Sequence, residues 1–241
     1  KDGSMNQSSG LLFARGQKNI SITGFGTIDG QGGNKTFQFG NDADGGPKRP
    51  KIIYFVECKG IVVTDVTLRN SAYWVQHYEK CEDVTIRGLK VFSHCNYNND
   101  GLDIDAKNAT ISDCYIDVED DAICFKSDHP EFCENITVTN CVTASNCNAI
   151  KFGTASHGGY RNIAVSNCVV RRAAEDNIRH WSKQLEHISA DVTVISGVAI
   201  EMVDGGIIDG ITVSNISMRD VQTPIFIRLG DRHRTYRKEG G

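Results

Sequence analysis

Short stretches of alternating apolar and polar residues recur along this chain, and each is opened by an amide, an acid or a glycine. They begin at Asn19, Gly60, Asp83, Asn108, Asn135, Asn162 and Gly210. The central stretches follow one another at about 25 residues, and a fixed period of roughly 20 to 50 residues is typical of solenoids and related repeat proteins. Strict alternation predicts β-strands with one buried and one exposed face.

A second alternating strand follows the first at a nearly constant spacing. These second strands begin at Val75, Leu102, Ile123, Ile150, Val198 and Ile225. Repeated units of strand, turn and strand, without a helical period, predict an all-β chain wound as a parallel β-helix, with coils stacked about 4.8 Å apart. An antiparallel sandwich is the alternative, but it does not require coils of equal length. The leucine ladder of leucine-rich repeats is missing.

Most of the nine cysteines occupy repeated positions in the coil. Cys114, Cys141 and Cys168 share one position, and Cys58, Cys81 and Cys133 share another. Small side chains stacked in this way are typical of a packed core, and the sequence has no Cys-x-x-Cys pair of the kind that binds zinc. The pattern therefore predicts buried thiols in place of disulfides. The asparagines that open several coils are expected to stack as a ladder of turn residues.

Composition limits the class of protein. The 241 residues carry a formal net charge of −4, with 39% hydrophobic and 23% charged residues. This balance is typical of a globular protein, and the mild acidity argues against nucleic acid as a partner. Since no apolar run approaches the roughly 20 residues of a spanning helix, we expect no membrane span. We also expect a monomer.

The coil register brings acidic residues together at one turn. The residues two positions before the second strands are Tyr73, Asp100, Asp121, Asn148, Ser196 and Thr223. Asp100 and Asp121 are thus expected to stack on adjacent coils, with Asp120 beside them. Repulsion among three carboxylates should raise at least one pKa, and the fold itself does not need such a cluster. The cluster is a candidate catalytic site, with a calcium-binding turn as the alternative.

Cations are predicted on the outer face beside these acids. Lys126, Lys151 and Arg228 fall at outward positions of the second strands. A solenoid face makes a long groove suited to an extended polymer, and cations beside carboxylates can hold acidic sugar units while the acids do the chemistry. The alternative is that the lysines are solvated surface charges.

The chain resembles glycoside hydrolase family 28, the family of polygalacturonases and rhamnogalacturonases, from about residue 19 to 230. The matching stretches are Gly26-Thr27-Ile28-Asp29-Gly30-Gln31-Gly32, Val66-Thr67-Leu68-Arg69-Asn70-Ser71, Trp74-Val75-Gln76-His77, Asn98-Asn99-Asp100-Gly101-Leu102-Asp103-Ile104-Asp105 and Asp120-Asp121-Ala122-Ile123-Cys124-Phe125-Lys126-Ser127. The resemblance implies a right-handed parallel β-helix that cleaves pectin-type polysaccharides with inversion of configuration.

The resemblance also implies roles for individual residues. Asp120 would protonate the leaving glycosidic oxygen, and Asp100 and Asp121 would activate the attacking water. The residues expected to bind the substrate are Asn99, Asn148, Lys126, Lys151, His77, Glu201 and Arg228. No metal and no cofactor is expected.

Two family motifs are altered in this chain. Where the family has Gly-His-Gly, this sequence has Cys147-Asn148-Ala149, and where the family has Arg-Ile-Lys it has Ala199-Ile200-Glu201. The usual cations around the galacturonate are therefore absent, so we expect plain homogalacturonan to be a poor substrate. An insertion over residues 171–196, with Arg171, Arg172, Arg179, His180 and Trp181, is expected to close one end of the groove and favour attack at chain ends.

The sequence therefore predicts a secreted or periplasmic pectin-degrading glycosidase. We expect one β-helix domain over residues 1–241 that lacks terminal coils of a longer family member. Two alternatives are a β-helix polysaccharide lyase, which would need calcium and an Arg or Lys base, and a non-catalytic glycan-binding β-helix. The fold alone does not choose among them.

Overall fold

The computed structural model describes residues 10–38, 49–174 and 194–232, and almost all of its regular structure is β-strand. The elements in chain order are β1 (Gly10–Arg15), β2 (Lys18–Thr23), β3 (Thr27–Asp29), α1 (Lys35–Gln38), β4 (Lys51–Val56), β5 (Lys59–Thr64), β6 (Thr67–Arg69), β7 (Gln76–Arg87), β8 (Lys90–Ser93), β9 (Leu102–Ser112), β10 (Tyr115–Val118), β11 (Ile123–Ser127), β12 (Cys133–Thr139), β13 (Val142–Ser145), β14 (Asn148–Ser156), β15 (Gly159–Arg172), β16 (Val194–Met202), β17 (Ile207–Met218) and β18 (Val221–Leu229).

The strands pair in parallel as three ladders, and each coil of the chain adds to each ladder. The first ladder joins β1, β4, β7, β9, β11, β14, β16 and β18. The second joins β2, β5, β7, β9, β12, β15 and β17. The third joins β3, β6, β8, β10, β13, β15 and β17. The long strands bend from one ladder into the next. This is the parallel β-helix that the sequence predicts.

The core lies inside the three ladders, where the inward side chains of successive coils stack on one another. The rings of Phe125 and Phe152 are parallel, with centroids 4.4 Å apart, and Tyr160 meets Phe152 edge-on at 5.5 Å. The Tyr160 hydroxyl donates to the carbonyl of Ala155 at 2.6 Å. Its polar group is therefore satisfied inside the core, as a buried hydroxyl requires.

The cysteines are packing residues, as the sequence predicts. All nine are free thiols, and all but Cys95 are buried. In the third ladder, the pairing of Tyr115 with Val142 and of Val142 with Val169 stacks the preceding residues Cys114, Cys141 and Cys168. The column acts as a stack of small apolar side chains.

The predicted asparagine ladder is present on the outer surface. The Asn162 amide donates to Asn135 Oδ1 at 2.8 Å, Asn135 donates to Asn108 Oδ1 at 3.1 Å, and Asn108 donates to Asp83 Oδ1 at 3.1 Å. All four residues have a positive φ of between 50° and 59°. Asparagine and aspartate tolerate this conformation better than other residues with a side chain, so the ladder fixes the same turn in each coil.

The predicted register is wrong by one residue on the coil that carries β7. The sequence prediction aligned Val75 with Leu102, whereas the pairing of His77 with Asp103 aligns Gln76 with Leu102. The error arose because Gln76 is polar but points inward, where its amide oxygen accepts a hydrogen bond from the buried Tyr78 hydroxyl at 2.9 Å. Trp74, and not Tyr73, therefore stands in the column of Asp100.

The insertion predicted near residues 171–196 is described only at its edges. Arg171 pairs with Ala144 in the third ladder, and its guanidinium donates to Asp117 Oδ2 at 2.6 Å. Arg172 is the last residue of β15. Arg179, His180 and Trp181 lie outside the described residues. Across the described ranges, none of the helical segments has the length and apolar character needed to cross a membrane.

The ladder can be tested at Asn135. Replacing Asn135 with alanine removes two side-chain hydrogen bonds and places a Cβ-bearing residue without a polar group at a φ of 59°. We expect a loss of about 2 kcal/mol in the free energy of unfolding, measured with urea. Asn135→Gly is the matched control, because glycine accepts this φ, and it should recover part of the loss. Equal losses in both variants would show that backbone conformation is not the constraint.

Candidate active site

The three aspartates lie in the turns just before β9 and β11, two neighbouring strands of the first ladder. The N–H of Gly101 donates to the carbonyl of Asp121 at 2.8 Å, and the N–H of Ala122 donates to the carbonyl of Asn148 at 2.9 Å. These bonds stack Asp100, Asp121 and Asn148 on successive coils. Asp120 lies beside them, with its Oδ1 accepting the N–H of Asp121 at 2.9 Å. The structure thus brings together the three carboxylates that the sequence selects, and all three are buried.

Two lysines with little exposed side-chain surface neutralise this cluster. Lys126 Nζ lies 3.6 Å from Asp100 Oδ2 and 3.1 Å from Asp103 Oδ1. Lys151 Nζ lies 3.0 Å from Asp121 Oδ2 and 4.0 Å from Glu201 Oε1. The alternative of solvated surface charges is therefore wrong for both lysines. Each ammonium bridges two acids.

The environments of Asp100 and Asp121 shift their pKa values in opposite directions. Burial raises the pKa of Asp100 well above its usual range, and the charges of Asp120 and Asp103 add to this effect. Burial alone would also raise the pKa of Asp121, but Lys151, Lys126 and the Asn148 amide outweigh burial and lower it. The expectation that crowding raises at least one pKa in the cluster is confirmed for Asp100. The surroundings of Asp100 therefore favour its protonated form, and those of Asp121 favour its ionised form.

Asp120 is held by its neighbours in the turn. Its Oδ2 accepts a hydrogen bond from Asn98 Nδ2 at 3.4 Å, and its carbonyl accepts from the Ser145 hydroxyl at 2.6 Å. Arg49 donates to the Asn98 side-chain oxygen at 3.2 Å, which fixes the orientation of that amide. Asp120 is therefore held from two neighbouring coils, by Asn98 through its carboxylate and by Ser145 through its backbone carbonyl.

Asn148 and Asn99 are both predicted to bind substrate, but their side-chain amides bond to different protein groups. Asn148 Nδ2 donates to Asp121 Oδ1 at 2.7 Å, so its amide supports the carboxylate. Asn99 is fully buried, and its amide donates to the carbonyls of Ser71 and Tyr73 at 2.8 and 2.9 Å. Its oxygen accepts from the Ser93 hydroxyl. The prediction that Asn99 binds substrate does not fit this geometry, since all its polar atoms hold the turn.

His77 lies in an aromatic setting next to the cluster. Its ring stacks on Tyr54 with centroids 5.2 Å apart and meets Trp74 edge-on at 5.0 Å. Burial, together with the charge of Lys51, lowers the pKa of His77 well below its usual range. The imidazole is therefore neutral at physiological pH. Its register partner is Asp103 on the next coil.

Glu201 and Arg228 stand on the other side of the cluster. They are register partners in β16 and β18. Glu201 is the second acid beside Lys151, whereas Arg228 is exposed. The cation predicted at Lys151 is therefore already shared between two carboxylates.

Sequence reasoning assigned no role to Asp103, Trp74 or Lys51, although all three lie beside the predicted site. Asp103 is fully buried against Lys126, and burial raises its pKa to about 6. Lys126 also lies over the Trp74 ring, 4.6 Å from its centroid. The sequence could have indicated Asp103, because it occupies the same outward coil position as Lys151. The signal for Trp74 was hidden by the one-residue register error.

A set of possible metal ligands overlaps the cluster. One ligand atom each of Asp120, Asp121 and Cys147 lie within 4.8 Å of one another. Calcium, however, prefers oxygen ligands, and one of these three atoms is the Cys147 sulfur. Lys151 already pairs with Asp121 at 3.0 Å, and the charge of Lys126 also lowers the pKa of Asp121. The residues therefore fit a lysine-neutralised acid cluster better than the calcium-binding turn.

Comparisons of the sequence relate this chain to known proteins. The family model for glycosyl hydrolases family 28 matches residues 4–232. A probable polygalacturonase of Vitis vinifera is 32% identical over 138 residues, which are 55% of this chain and 27% of that protein. A polygalacturonase of Saccharomyces cerevisiae is 30% identical over 127 residues, which are 49% of this chain and 34% of that protein. The matches thus span only about a third or less of each relative.

Comparisons of the structure also find polygalacturonases. The family 28 exopolygalacturonase of Yersinia enterocolitica superposes with a TM-score of 0.67 at 19% identity, covering 89% of this chain and 43% of that one. A hyperthermoactive exopolygalacturonase of Thermotoga maritima gives a TM-score of 0.55 at 22% identity, covering 79% and 40%. At these identities the likeness shows the fold, which is the right-handed parallel β-helix that the sequence predicts.

The role of Lys151 can be tested by titration. In Lys151→Met the ammonium 3.0 Å from Asp121 is lost, so the apparent pKa of Asp121 should rise by about one unit or more. Carbon NMR of the aspartate carboxyls, assigned with Asp121→Asn, would measure the shift. Lys107→Met removes a cation from a more exposed pair with Glu134 and should leave the pKa of Asp121 unchanged. An unaltered titration in Lys151→Met would contradict the proposed charge balance.

Proposed function

The chain belongs to the glycosyl hydrolases of family 28, and from this premise we propose that it hydrolyses pectin-type polysaccharide by inverting acid/base catalysis. The observation that carries the proposal is the cluster of Asp100, Asp120 and Asp121, in which two carboxylates have pKa values shifted apart. A cluster in which one carboxyl favours its protonated form and another its ionised form can both supply and accept a proton. The names of the relatives support pectin as the substrate class.

Asp121 suits the role of the base. Its lowered pKa keeps it ionised, so it can accept a proton from the attacking water. Asp100 lies on the adjacent coil and can hydrogen-bond the same water. We assign the two carboxylates to one water because they belong to one column, which is why their short separation does not indicate a retaining mechanism.

We assign the role of the acid to Asp120, as the resemblance of the sequence to family 28 implies, and we propose that it shares a proton with Asp100. The charge on Asp120 is the largest electrostatic cause of the raised pKa of Asp100 after burial, so the two carboxyls compete for one proton. When that proton lies on Asp120, it can pass to the leaving glycosidic oxygen. The proton taken from water by Asp121 then restores the starting state within the cluster.

The alternative of a lyase with a lysine base has less support. Burial alone would lower the pKa of Lys126, but the charges of Asp103 and Asp100 outweigh it and raise the pKa well above its usual range. Lys151 is shifted in the same direction, chiefly by Asp121 against burial. Both ammoniums therefore stay protonated, which is the wrong state for a base.

The side of the cluster beyond Asn148 suits an uncharged sugar. Glu201 would repel a uronate there, Ala199 has no charge, and Lys151 is engaged by Asp121 and Glu201. We therefore propose that the substrate is a mixed backbone of the rhamnogalacturonan kind in preference to unbranched polygalacturonate. We propose in addition that the protein is secreted or periplasmic, because pectin lies outside the cell. A monomeric state and a single β-helix domain are part of the same proposal.

The catalytic assignment can be tested by three matched substitutions. Asp100→Asn, Asp120→Asn and Asp121→Asn should each keep the fold and lower kcat by about 100-fold or more. Asp128→Asn makes the same change at an exposed residue and should have no such effect. Reducing ends without an ultraviolet-absorbing unsaturated sugar would identify a hydrolase, whereas the unsaturated product would identify a lyase. Full turnover in all three cluster variants would exclude catalysis at this site.

The substrate preference can be tested at Glu201. We expect kcat/KM to be higher on rhamnogalacturonan fragments than on polygalacturonate, because a uronate beside Glu201 is repelled. Glu201→Gln removes that charge at nearly constant shape, so it should raise kcat/KM on polygalacturonate and change the value on rhamnogalacturonan less. A clear preference of the unsubstituted protein for polygalacturonate would show that another cation, such as Lys126 or Arg228, grips the uronate.

A further inference from the structure

Lys51 stands in the same column as the carboxylate cluster. The pairing of Ile53 with Gln76, extended by two residues, places Lys51 beside Trp74. The next residue of that coil, Val75, donates its N–H to the carbonyl of Asp100 at 2.7 Å. With coils about 4.8 Å apart, Lys51 lies about 10 Å from Asp100 along the solenoid axis. It lies on the side of the cluster away from Glu201.

The ammonium of Lys51 is surrounded by aromatic rings. Its Nζ lies 3.9 Å from the centroid of the Tyr54 ring, 4.8 Å from that of Trp74 and 5.9 Å from that of Tyr73. The residue is only 2% exposed. Cation–π contacts partly replace the lost hydration of a buried ammonium.

Lys51 differs from the two lysines of the cluster in what its ammonium contacts. Among residues 10–38, 49–174 and 194–232, no hydrogen bond and no ion pair to its ammonium is formed. Lys126 and Lys151, by contrast, are each paired with two acids. A buried ammonium without an acceptor is costly, and burial lowers the pKa of Lys51 to about 8 against the opposing charges of Asp103 and Glu79. An anionic ligand would supply the missing acceptor.

We propose that Lys51 is a specificity-determining residue that binds the carboxylate of a uronic acid unit on the side of the cleavage point away from Glu201. The inference rests on the proposed glycan-cleaving function and names the sugar on one side of the cluster. Tyr73 and Trp74, which cover the ammonium, are only half-buried, so this pocket adjoins the surface of the groove. A sugar carboxylate there meets three N–H donors that none of the described residues accepts from.

The two sides of the cluster then have opposite preferences. Lys51 selects an acidic unit on one side, and Glu201 disfavours one on the other. A backbone that alternates acidic and neutral sugars satisfies both sides, whereas a fully acidic or fully neutral chain satisfies only one. The charge order along the groove thus also orients the chain.

The test is binding of two matched ligands to inactive protein. In an Asp120→Asn background, calorimetry would measure the Kd for a rhamnogalacturonan oligosaccharide and for the same oligosaccharide with its carboxyl groups reduced to alcohols. Adding Lys51→Met should weaken binding of the acidic ligand by about tenfold or more, because a charge-assisted hydrogen bond is lost. Binding of the reduced ligand should be unchanged.

Two further variants control for structure and for general charge. Lys51→Arg keeps the cation and should retain most of the discrimination, while Lys107→Met removes an exposed cation and should change neither Kd. Circular dichroism would verify that the fold persists. Equal weakening of both ligands by Lys51→Met, or no weakening at all, would overturn the inference.

Failure of this inference differs from failure of the proposed function. The single variant Lys51→Met, without Asp120→Asn, can also be assayed for hydrolysis. If it still hydrolyses the polysaccharide and discriminates acidic from reduced ligands as before, only the role of Lys51 is wrong. If no product forms from any pectin fragment but the acidic ligand binds in a Lys51-dependent manner, the hydrolase function is wrong and the binding site stands. If neither ligand binds, the inference is overturned.

Discussion

The parallel backbone ladder is the constraint on which the rest of this structure depends. Its hydrogen bonds hold equivalent residues of successive coils about 4.8 Å apart, whether their side chains attract or repel one another. Inside the solenoid this spacing favours like on like, and Phe125 stacks on Phe152. At the groove the same spacing forces Asp100 onto Asp121, and the ladder holds them there despite their repulsion.

The repulsion is offset by charges supplied from the same ladder. Lys126 and Lys151 extend from outward positions beside the acids, and each lies between two carboxylates. Because the lysines and the amide of Asn148 are not distributed evenly, they lower the pKa of Asp121 but leave that of Asp100 raised. A regular scaffold thus acquires an asymmetric site from the order of residues within single columns.

Sequence alone predicts those features that depend on residues at equivalent positions of successive coils. The parallel coils, the thiol columns, the asparagine ladder and the meeting of three aspartates all follow from residues that recur at one coil position. Prediction failed where a coil departed from the rule that inward residues are apolar: Gln76 is buried with Tyr78, and the register slipped by one residue. It also failed for Asn99, because a buried amide whose hydrogen bonds all go to neighbouring protein groups has the same sequence signature as one that faces a ligand.

The free thiols have a consequence for how the protein is made. A core stabilised by stacked Cys114, Cys141 and Cys168 needs no oxidant to reach its final state, unlike small disulfide-dependent extracellular domains. The chain should therefore fold equally well in a reducing cytosol and in an oxidising compartment. Its vulnerable period is before the coils close, when neighbouring sulfurs are still exposed to oxidation and wrong cross-links are able to trap the unfinished solenoid.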